Sequence, residues 1–147
     1  MKISSFKDLV AWREAHKLAI MIYRETGSFP NSEQFGLVNQ LRRASVSISS
    51  NIAEWFSRQS PKEKINFYYI SLGSLTEVQN KILLAKDLGF IENKAFEVVD
   101  AQTISVSRLC NGLIKSSKKL VSWPPLIPNT LYLIPPKCSF KFHNLLR

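Results

Sequence analysis

The stretch "QLRRASVSISSNIAEWFSRQS", residues 40–60, decides the fold of this chain. On a helical wheel of residues 34–58, the apolar positions fall on one narrow stripe, made of Leu37, Leu41, Ala44, Ile48, Ile52 and Trp55. This spacing predicts a long amphipathic helix that ends at about Arg58. Five serines precede Arg58 in this stretch (Ser45, Ser47, Ser49, Ser50 and Ser57), and serine is a mediocre helix former because its hydroxyl competes for backbone hydrogen bonds. Two roles could explain these serines. They could form a binding or catalytic site, or they could form a close-packed polar contact between helices.

An earlier helix is predicted from a capping box near the start of the chain, in which Ser5 and Asp8 satisfy backbone amides of the first turn. Gly27 is expected to end this helix, because glycine readily takes the left-handed conformation found at helix C-termini. In the turn that follows, Asn31 and Gln34 are a predicted cap pair for the second helix.

The third helix carries the strongest local signal in the chain. Ser60-Pro61-Lys62-Glu63 offers an N-cap serine, a proline at the first helical position and a glutamate at the third, and Gly89 marks the end. The fourth helix is predicted from a stripe of Phe96, Val99, Thr103, Val106, Cys110 and Leu113. Strand-type alternation is absent from all four segments. The sequence therefore predicts an all-α, up-down-up-down four-helix bundle.

The predicted bundle domain covers residues 1–119, and a tail of different composition covers residues 120–147. The tail holds five of the seven prolines and no acidic residue, so we do not expect it to extend the fourth helix. Its apolar content argues against a solvated linker. Three interpretations stay open: an arm that docks in a groove or on a neighbouring subunit, a poorly ordered segment, or an accident of reading frame.

The composition indicates a basic cytosolic protein. The 147 residues carry a formal net charge of +9, and a basic chain attracts polyanions, of which RNA is the commonest in a cell. Cys110 and Cys138 show neither a metal-ligand spacing nor a disulfide framework, which fits a reducing compartment. No apolar run suits a signal peptide or a membrane span. We therefore expect a cytoplasmic protein without membrane contact.

Catalysis is not expected from this sequence. The serines lack a histidine at a credible distance, since His16 lies midway along the first helix and His143 lies in the tail. Glu54 and Glu77 are in principle capable of acid–base chemistry. The chain nevertheless has no histidine or cysteine cluster for a metal and no glycine-rich phosphate loop. We predict no enzymatic activity, no cofactor and no metal site.

A structural role is favoured for the polar residues of the second helix. A stripe beside the core stripe holds Gln40, Arg43, Ser47, Asn51, Glu54 and Arg58, and the third helix offers Asn66, Gly73, Glu77 and Lys81. We predict a polar seam between the two helices, with Arg43 bonded to Glu77 or Arg58 bonded to Glu54. Gly73 is expected to mark a close backbone approach, because a helix-interior glycine costs about 1 kcal/mol against alanine.

The third helix is apolar over more than half of its circumference. One side holds Ile65, Tyr69, Leu72 and Leu83, and the other side holds Phe67, Tyr68, Leu75, Val78 and Ile82. A helix buried on two sides in so small a bundle needs another subunit to cover it. We therefore predict a homo-oligomer with cyclic symmetry.

Nucleic acid, above all structured RNA, is the predicted partner. The candidate contacts are cations off the predicted core faces: Arg13, Lys17, Arg24, Arg42, Lys62, Lys64, Lys115, Lys118 and Lys119. Exposed aromatic residues among these cations are not evident, so binding is expected to depend on shape and phosphates, without base stacking. Two alternatives stay open: an adaptor that recruits a larger enzyme such as a polymerase, and a passenger of a self-splicing element without a present role.

Three stretches carry a resemblance to a known family: "FKDLVAWREAHKLAIMIY" at residues 6–23, "QLRRASVSISSNIAE" at 40–54 and "GSLTE" at 73–77. They are similar to the small four-helix-bundle proteins encoded within intervening sequences of bacterial 23S ribosomal RNA genes. The same fold family includes the accessory variability proteins of diversity-generating retroelements. The resemblance covers roughly residues 4–119, in order and without large gaps.

The resemblance implies bundles that assemble as homopentamers with a central channel. No enzymatic activity is established for the ribosomal-insertion members of this family. The retroelement relatives bind nucleic acid and a reverse transcriptase through basic outer surfaces, which implies a similar role for the basic surface of this chain. The residues that match the family signature, none of them with a catalytic role, are Gln40, Arg43, Ser47, Asn51, Glu54, Gly73 and Glu77. Two features depart from the family pattern: Trp55 stands where glycine is usual, and the tail has no counterpart. We therefore expect the bundle end near Trp55 to pack differently from that of its relatives.

Overall fold

A computed structural model describes residues 3–121 as a set of four α-helices. α1 spans Val10–Glu25, α2 spans Leu37–Ser57, α3 spans Pro61–Asp87 and α4 spans Asn93–Val121, and no strand occurs within residues 3–121. Three short 3-10 turns lie before and between α1 and α2, at Phe6–Asp8, Thr26–Ser28 and Asn31–Glu33. The predicted all-α fold is confirmed. α4 continues past residue 119, and the rest of the predicted tail, residues 122–147, lies outside the described residues.

The four helices alternate in direction and enclose one core. Short connections join consecutive helices, and α1 packs against both α2 and α4, which closes the bundle. Every helix supplies completely buried side chains, among them Leu18, Ile48, Val78 and Val106. The predicted apolar stripe of α2 lies in this core, with Trp55 half-buried at its end. The up-down-up-down arrangement is confirmed.

The capping box at the start of the chain forms as predicted, but it begins a 3-10 turn. The Asp8 carboxylate accepts hydrogen bonds from the Ser4 and Ser5 amides, both at 2.9 Å, and these bonds lower the pKa of Asp8. Leu9 then takes an extended backbone conformation, with φ −73° and ψ 122°. As a result, α1 begins only at Val10.

The connection between α1 and α2 differs from the prediction. α1 ends at Glu25, and the chain enters a 3-10 turn through Gly27, which therefore does not act as a left-handed terminator. The predicted cap pair of Asn31 and Gln34 is wrong, because residues 31–33 form a further 3-10 turn and α2 begins at Leu37. That turn places the Glu33 carboxylate 3.2 Å from the Leu37 amide, which donates a hydrogen bond to it.

α3 begins and ends where the sequence predicts. Ser60 occupies the N-cap position and Pro61 the first helical position, but the Ser60 side chain makes no capping hydrogen bond, contrary to the prediction. At the other end Gly89 takes a φ of +74°, in the left-handed region. The amide of Gly89 donates to the Lys86 carbonyl at 2.9 Å, and the amide of Phe90 donates to the Ala85 carbonyl at 2.8 Å. These two bonds make a Schellman motif.

Candidate nucleic-acid interface

Small polar side chains join α2 to α3. The Ser47 and Ser74 hydroxyls lie 2.9 Å apart across the contact. Ser71, which is fully buried, donates from its hydroxyl to the Ile48 carbonyl at 3.3 Å. Asn51 supports Ser47 by donating from its side-chain amide to the Ser47 carbonyl at 2.8 Å. The structure thus places serines in a contact between helices, and Ser71 and Ser74 take part although sequence reasoning missed them.

Three other serines of α2, Ser45, Ser49 and Ser57, bond to their own helix. The buried Ser45 and Ser49 hydroxyls donate to the Arg42 and Val46 carbonyls at 2.8 and 3.1 Å. A hydroxyl committed to the preceding turn is a common arrangement for serine within a helix. These contacts position no base beside a serine.

The charged residues of the predicted seam pair within single helices. Glu54 bonds to Arg58, and Glu77 bonds to Lys81, each one turn along the chain. The predicted pair of Arg43 and Glu77 is therefore not formed, because Lys81 supplies a partner four residues away. Gln40, Arg43 and Asn66 are exposed.

Gly73 does not mark a close approach within one chain. A Cβ built on Gly73 meets no described atom within 4 Å, and the residue is exposed. The prediction of a close backbone approach is wrong for the packing of residues 3–121, because Gly73 lies on the side of α3 that faces away from α2.

Three of the predicted cations, Arg13, Lys17 and Arg24, lie on α1, and Arg42 of α2 lies beside the C-terminal end of that helix, where it contacts Tyr23 and Thr26. We refer to these four residues together as the α1–α2 face. The three α1 side chains are exposed and follow helical spacing along one stripe. The Glu14 carboxylate turns away toward α4, where it accepts a hydrogen bond from the Gln102 side-chain amide at 2.8 Å. Glu14 therefore does not pair with the cations of this stripe, while Asp8, before α1, interacts electrostatically with Arg13.

Arg42 is held in place by α1. Its Nε donates to the Thr26 hydroxyl at 2.9 Å, and that hydroxyl donates in turn to the Ile22 carbonyl at 2.7 Å. The Arg42 guanidinium lies 4.9 Å from the centroid of the Tyr23 ring, a cation–π contact. Both contacts fix a positive charge where α1 and α2 meet.

Exposed aromatic rings accompany these cations, contrary to the expectation from the sequence. Phe35 is 90% exposed and Tyr23 is 48% exposed. Both line a groove of about 410 Å³ together with Gln34, Asn39, Arg42 and Arg43, which we call the aromatic groove. The wheel of residues 34–58 treated Phe35 as part of the second helix, whereas it lies in the connection before α2. Its position directly before Gly36, at the start of α2, was the available signal.

The other predicted cations form a second group at the bundle end where α2 turns into α3. Lys64 lies 4.9 Å from the Trp55 ring centroid, and Lys118 of α4 lies 5.5 Å from that of Tyr69. Lys62, Lys115 and Lys119 complete this group and are exposed. The nine predicted contacts thus belong to two groups, not one.

The titratable groups in the interior offer little reactivity. Burial raises the pKa of the Cys110 thiol to about 12, so the thiol stays protonated at neutral pH. His16 is exposed, and its ring stacks on Trp12 at a centroid distance of 4.9 Å. Within residues 3–121, no three His, Cys, Asp or Glu side chains gather as metal ligands would. None of the helices described is long and apolar enough to cross a membrane.

Comparison with known proteins places this bundle in a family. A solved structure from Bacteroides thetaiotaomicron, a protein of unknown function from the S23 ribosomal protein family, superposes with a TM-score of 0.68 at 24% sequence identity. The match covers 74% of this chain and 98% of the other, and it shows a shared fold. No curated protein matches the chain. The sequence model of the 23S rRNA-intervening sequence proteins matches residues 7–112. The chain therefore belongs to the 23S rRNA-intervening sequence protein family.

Proposed function

We propose that this chain is a non-enzymatic, self-associating bundle protein that binds structured RNA or another nucleic acid through its α1–α2 face. The observation that carries the proposal is the charge of this face: Arg13, Lys17 and Arg24 are exposed on one stripe, and Glu14 is turned toward α4. Cations with free access to solvent attract phosphates and release their condensed counterions on binding. The family name refers to 23S ribosomal RNA, so a ribosomal hairpin is the first ligand to test.

Self-association is the second part of the proposal. α3 buries Tyr68, Leu75, Val78 and Ile82 in the core, while its outer side exposes other large apolar residues. These exposed residues are Tyr69, Ile70, Leu83, Leu84 and Leu88. A second copy that covered them would remove apolar surface from water and bring more cations into one particle. The resemblance described above makes a homopentamer the assembly to test for.

The test is a fluorescence anisotropy titration of the full chain against a labelled 23S-type hairpin, from about 50 to about 250 mM salt. We expect tight binding at low salt and a steep log–log dependence on salt. Replacing Arg13, Lys17 and Arg24 with Glu should weaken binding at least about tenfold and reduce the salt slope by about 3. The matched control replaces Lys7, Lys94 and Arg108 with Glu, which changes the net charge equally at exposed positions outside both groups.

Three results would contradict the proposal. Absence of binding at the lowest salt would refute a nucleic-acid function. Equal losses in the test and control variants would show that only the net charge matters and that the α1–α2 face has no special role. Loss on reversing Lys115, Lys118 and Lys119, with the α1 variant unaffected, would move the interface to the other group. A protein partner, the adaptor alternative, would instead bind with little dependence on salt.

A further inference from the structure

We infer that the α1–α2 face takes unpaired nucleotides, whose bases stack on Tyr23 and Phe35 while Arg42 and Arg43 contact the adjoining phosphates. This inference rests on the proposed function, because it specifies which conformation of nucleic acid the same face binds. It replaces the expectation of purely shape- and phosphate-driven binding, which assumed that exposed aromatic residues were absent.

The two aromatic rings are unusually exposed to solvent. Phe35 leaves 90% of its surface in water, and Tyr23 leaves 48%. Neighbouring exposed apolar side chains commonly mark a binding surface. Flat rings also suit bases in particular, because every base presents a π-face and stacking tolerates any sequence.

The surroundings of the rings match a nucleotide in size and charge. The aromatic groove, of about 410 Å³, adjoins a second groove of about 500 Å³ along α1, and Tyr23 and Val46 line both. Arg42 and Arg43 line the first groove, and Arg24 lines the second. No described residue lining either groove is acidic. This one-sided charge favours a phosphate backbone over a protein partner of mixed charge.

The Arg42 guanidinium is already held in position to contact a phosphate in the unbound protein. Its bond to the Thr26 hydroxyl and its contact with the Tyr23 ring hold the guanidinium at the groove. A guanidinium is planar, so it can stack on a ring and still donate to phosphate oxygens. Gln34 and Asn39 add side-chain amides, which offer both donors and acceptors to base edges.

Unpaired bases, not a duplex, fit this arrangement. Bases in a double helix are already stacked on one another, and the groove edges of A-form RNA do not present their faces to a side chain. We therefore expect the ligand of the aromatic groove to be a single-stranded segment, such as the loop of a hairpin or a free strand.

The test uses the full chain with a labelled oligouridylate of about twelve nucleotides and with a duplex of the same length, at about 50 mM salt. Phe35→Ala and Tyr23→Ala should each weaken binding of the single strand by about tenfold, which is within the range for one lost stacking contact. Binding of the duplex should stay within about twofold of the unchanged chain. The salt slope should not change, because neither ring carries a charge. Phe35→Trp should restore the affinity for the single strand.

Val98→Ala is the matched control. Val98 is 56% exposed, but it belongs to α4 and lines neither groove. We expect its substitution to leave single-strand affinity unchanged. Thermal unfolding of each variant establishes that the bundle is intact, which the exposure of Phe35 makes the expected result.

The possible outcomes separate this inference from the proposed function. If the ring variants bind single strands normally while the reversal of Arg13, Lys17 and Arg24 still weakens hairpin binding, the stacking inference is overturned and the proposed function stands. If neither strand form nor the hairpin binds, the proposed function fails and the inference with it. If Phe35→Ala lowers the oligomeric mass in sedimentation and leaves single-strand binding intact, the groove is a contact between copies, which also overturns the inference.

Discussion

Tyr68 is the largest side chain that the bundle buries completely, and its hydroxyl has no hydrogen-bond partner within residues 3–121. The centroid of its ring lies 5.0 Å from that of Trp55, whose indole nitrogen is also buried without a hydrogen-bond partner within residues 3–121. Burial raises the pKa of the tyrosine, so the phenol remains protonated and still needs an acceptor. Trp55 thus packs with Tyr68 at this end of the bundle.

Removing the Tyr68 hydroxyl should therefore not weaken the bundle. We expect Tyr68→Phe to leave the free energy of unfolding unchanged or to raise it by about 1 kcal/mol, because an unsatisfied buried polar group is lost. Urea unfolding followed by circular dichroism measures the change, with Tyr69→Phe on the exposed side of α3 as the control. A loss of more than about 1 kcal/mol would show that the hydroxyl has a hydrogen-bond partner.

At the scale of single helices, the ends that depend on local chemistry were predictable and those that depend on tertiary contacts were not. Pro61 favours the start of α3 and Gly89 favours its end, through backbone preferences that a short stretch contains. The start of α2 depends instead on Glu33, whose carboxylate reaches Leu37 only after a 3-10 turn has formed. The same limit applies to the seam, where the wheel identified Ser47 but gave no information about Ser74 opposite it.

The end of α3 allows a paired test with two glycines. Gly89→Ala should lower stability by about 1 kcal/mol, because its φ of +74° disfavours any residue with a Cβ. Gly112 lies inside α4, so Gly112→Ala should raise stability by about 0.5–1 kcal/mol. Since an added Cβ meets no described atom within 4 Å at either position, the difference isolates the backbone conformation. Thermal or urea unfolding gives both values, and equal effects would argue against the left-handed cap.

At the scale of the whole molecule, the sequence predicted the cations of the candidate site, but neither their grouping nor the exposed aromatic rings beside them. Arg13, Lys17 and Arg24 share a stripe that a wheel shows, whereas Arg42 joins them only because α2 packs beside Tyr23. The aromatic groove escaped prediction for the same reason, since it combines residues of α1, α2 and their connection. The spacing of residues along one helix gives no information about the residues that other helices place beside it.

The proposed self-association through the outer side of α3 can be tested at Gly73. Room for a Cβ exists in the single chain, so Gly73→Ala should raise the stability of the protomer by about 0.5–1 kcal/mol. If a second copy approaches at this position, the same methyl group should lower the oligomeric mass measured by analytical ultracentrifugation. Gly112→Ala is the control and should leave that mass unchanged. Identical masses for both variants would exclude a close contact at Gly73.

The connection between α1 and α2 has a consequence for how this bundle can diversify. It is anchored at one end by the bond between Arg42 and Thr26 and at the other by the bond between Glu33 and Leu37. Between these anchors, Phe29 is the core residue, while Pro30, Gln34 and Phe35 are exposed. Substitutions or grafted residues at the exposed positions therefore leave the core intact. Changes at these exposed positions, by drift or by engineering, can therefore alter which ligands this surface binds while the four-helix fold stays the same.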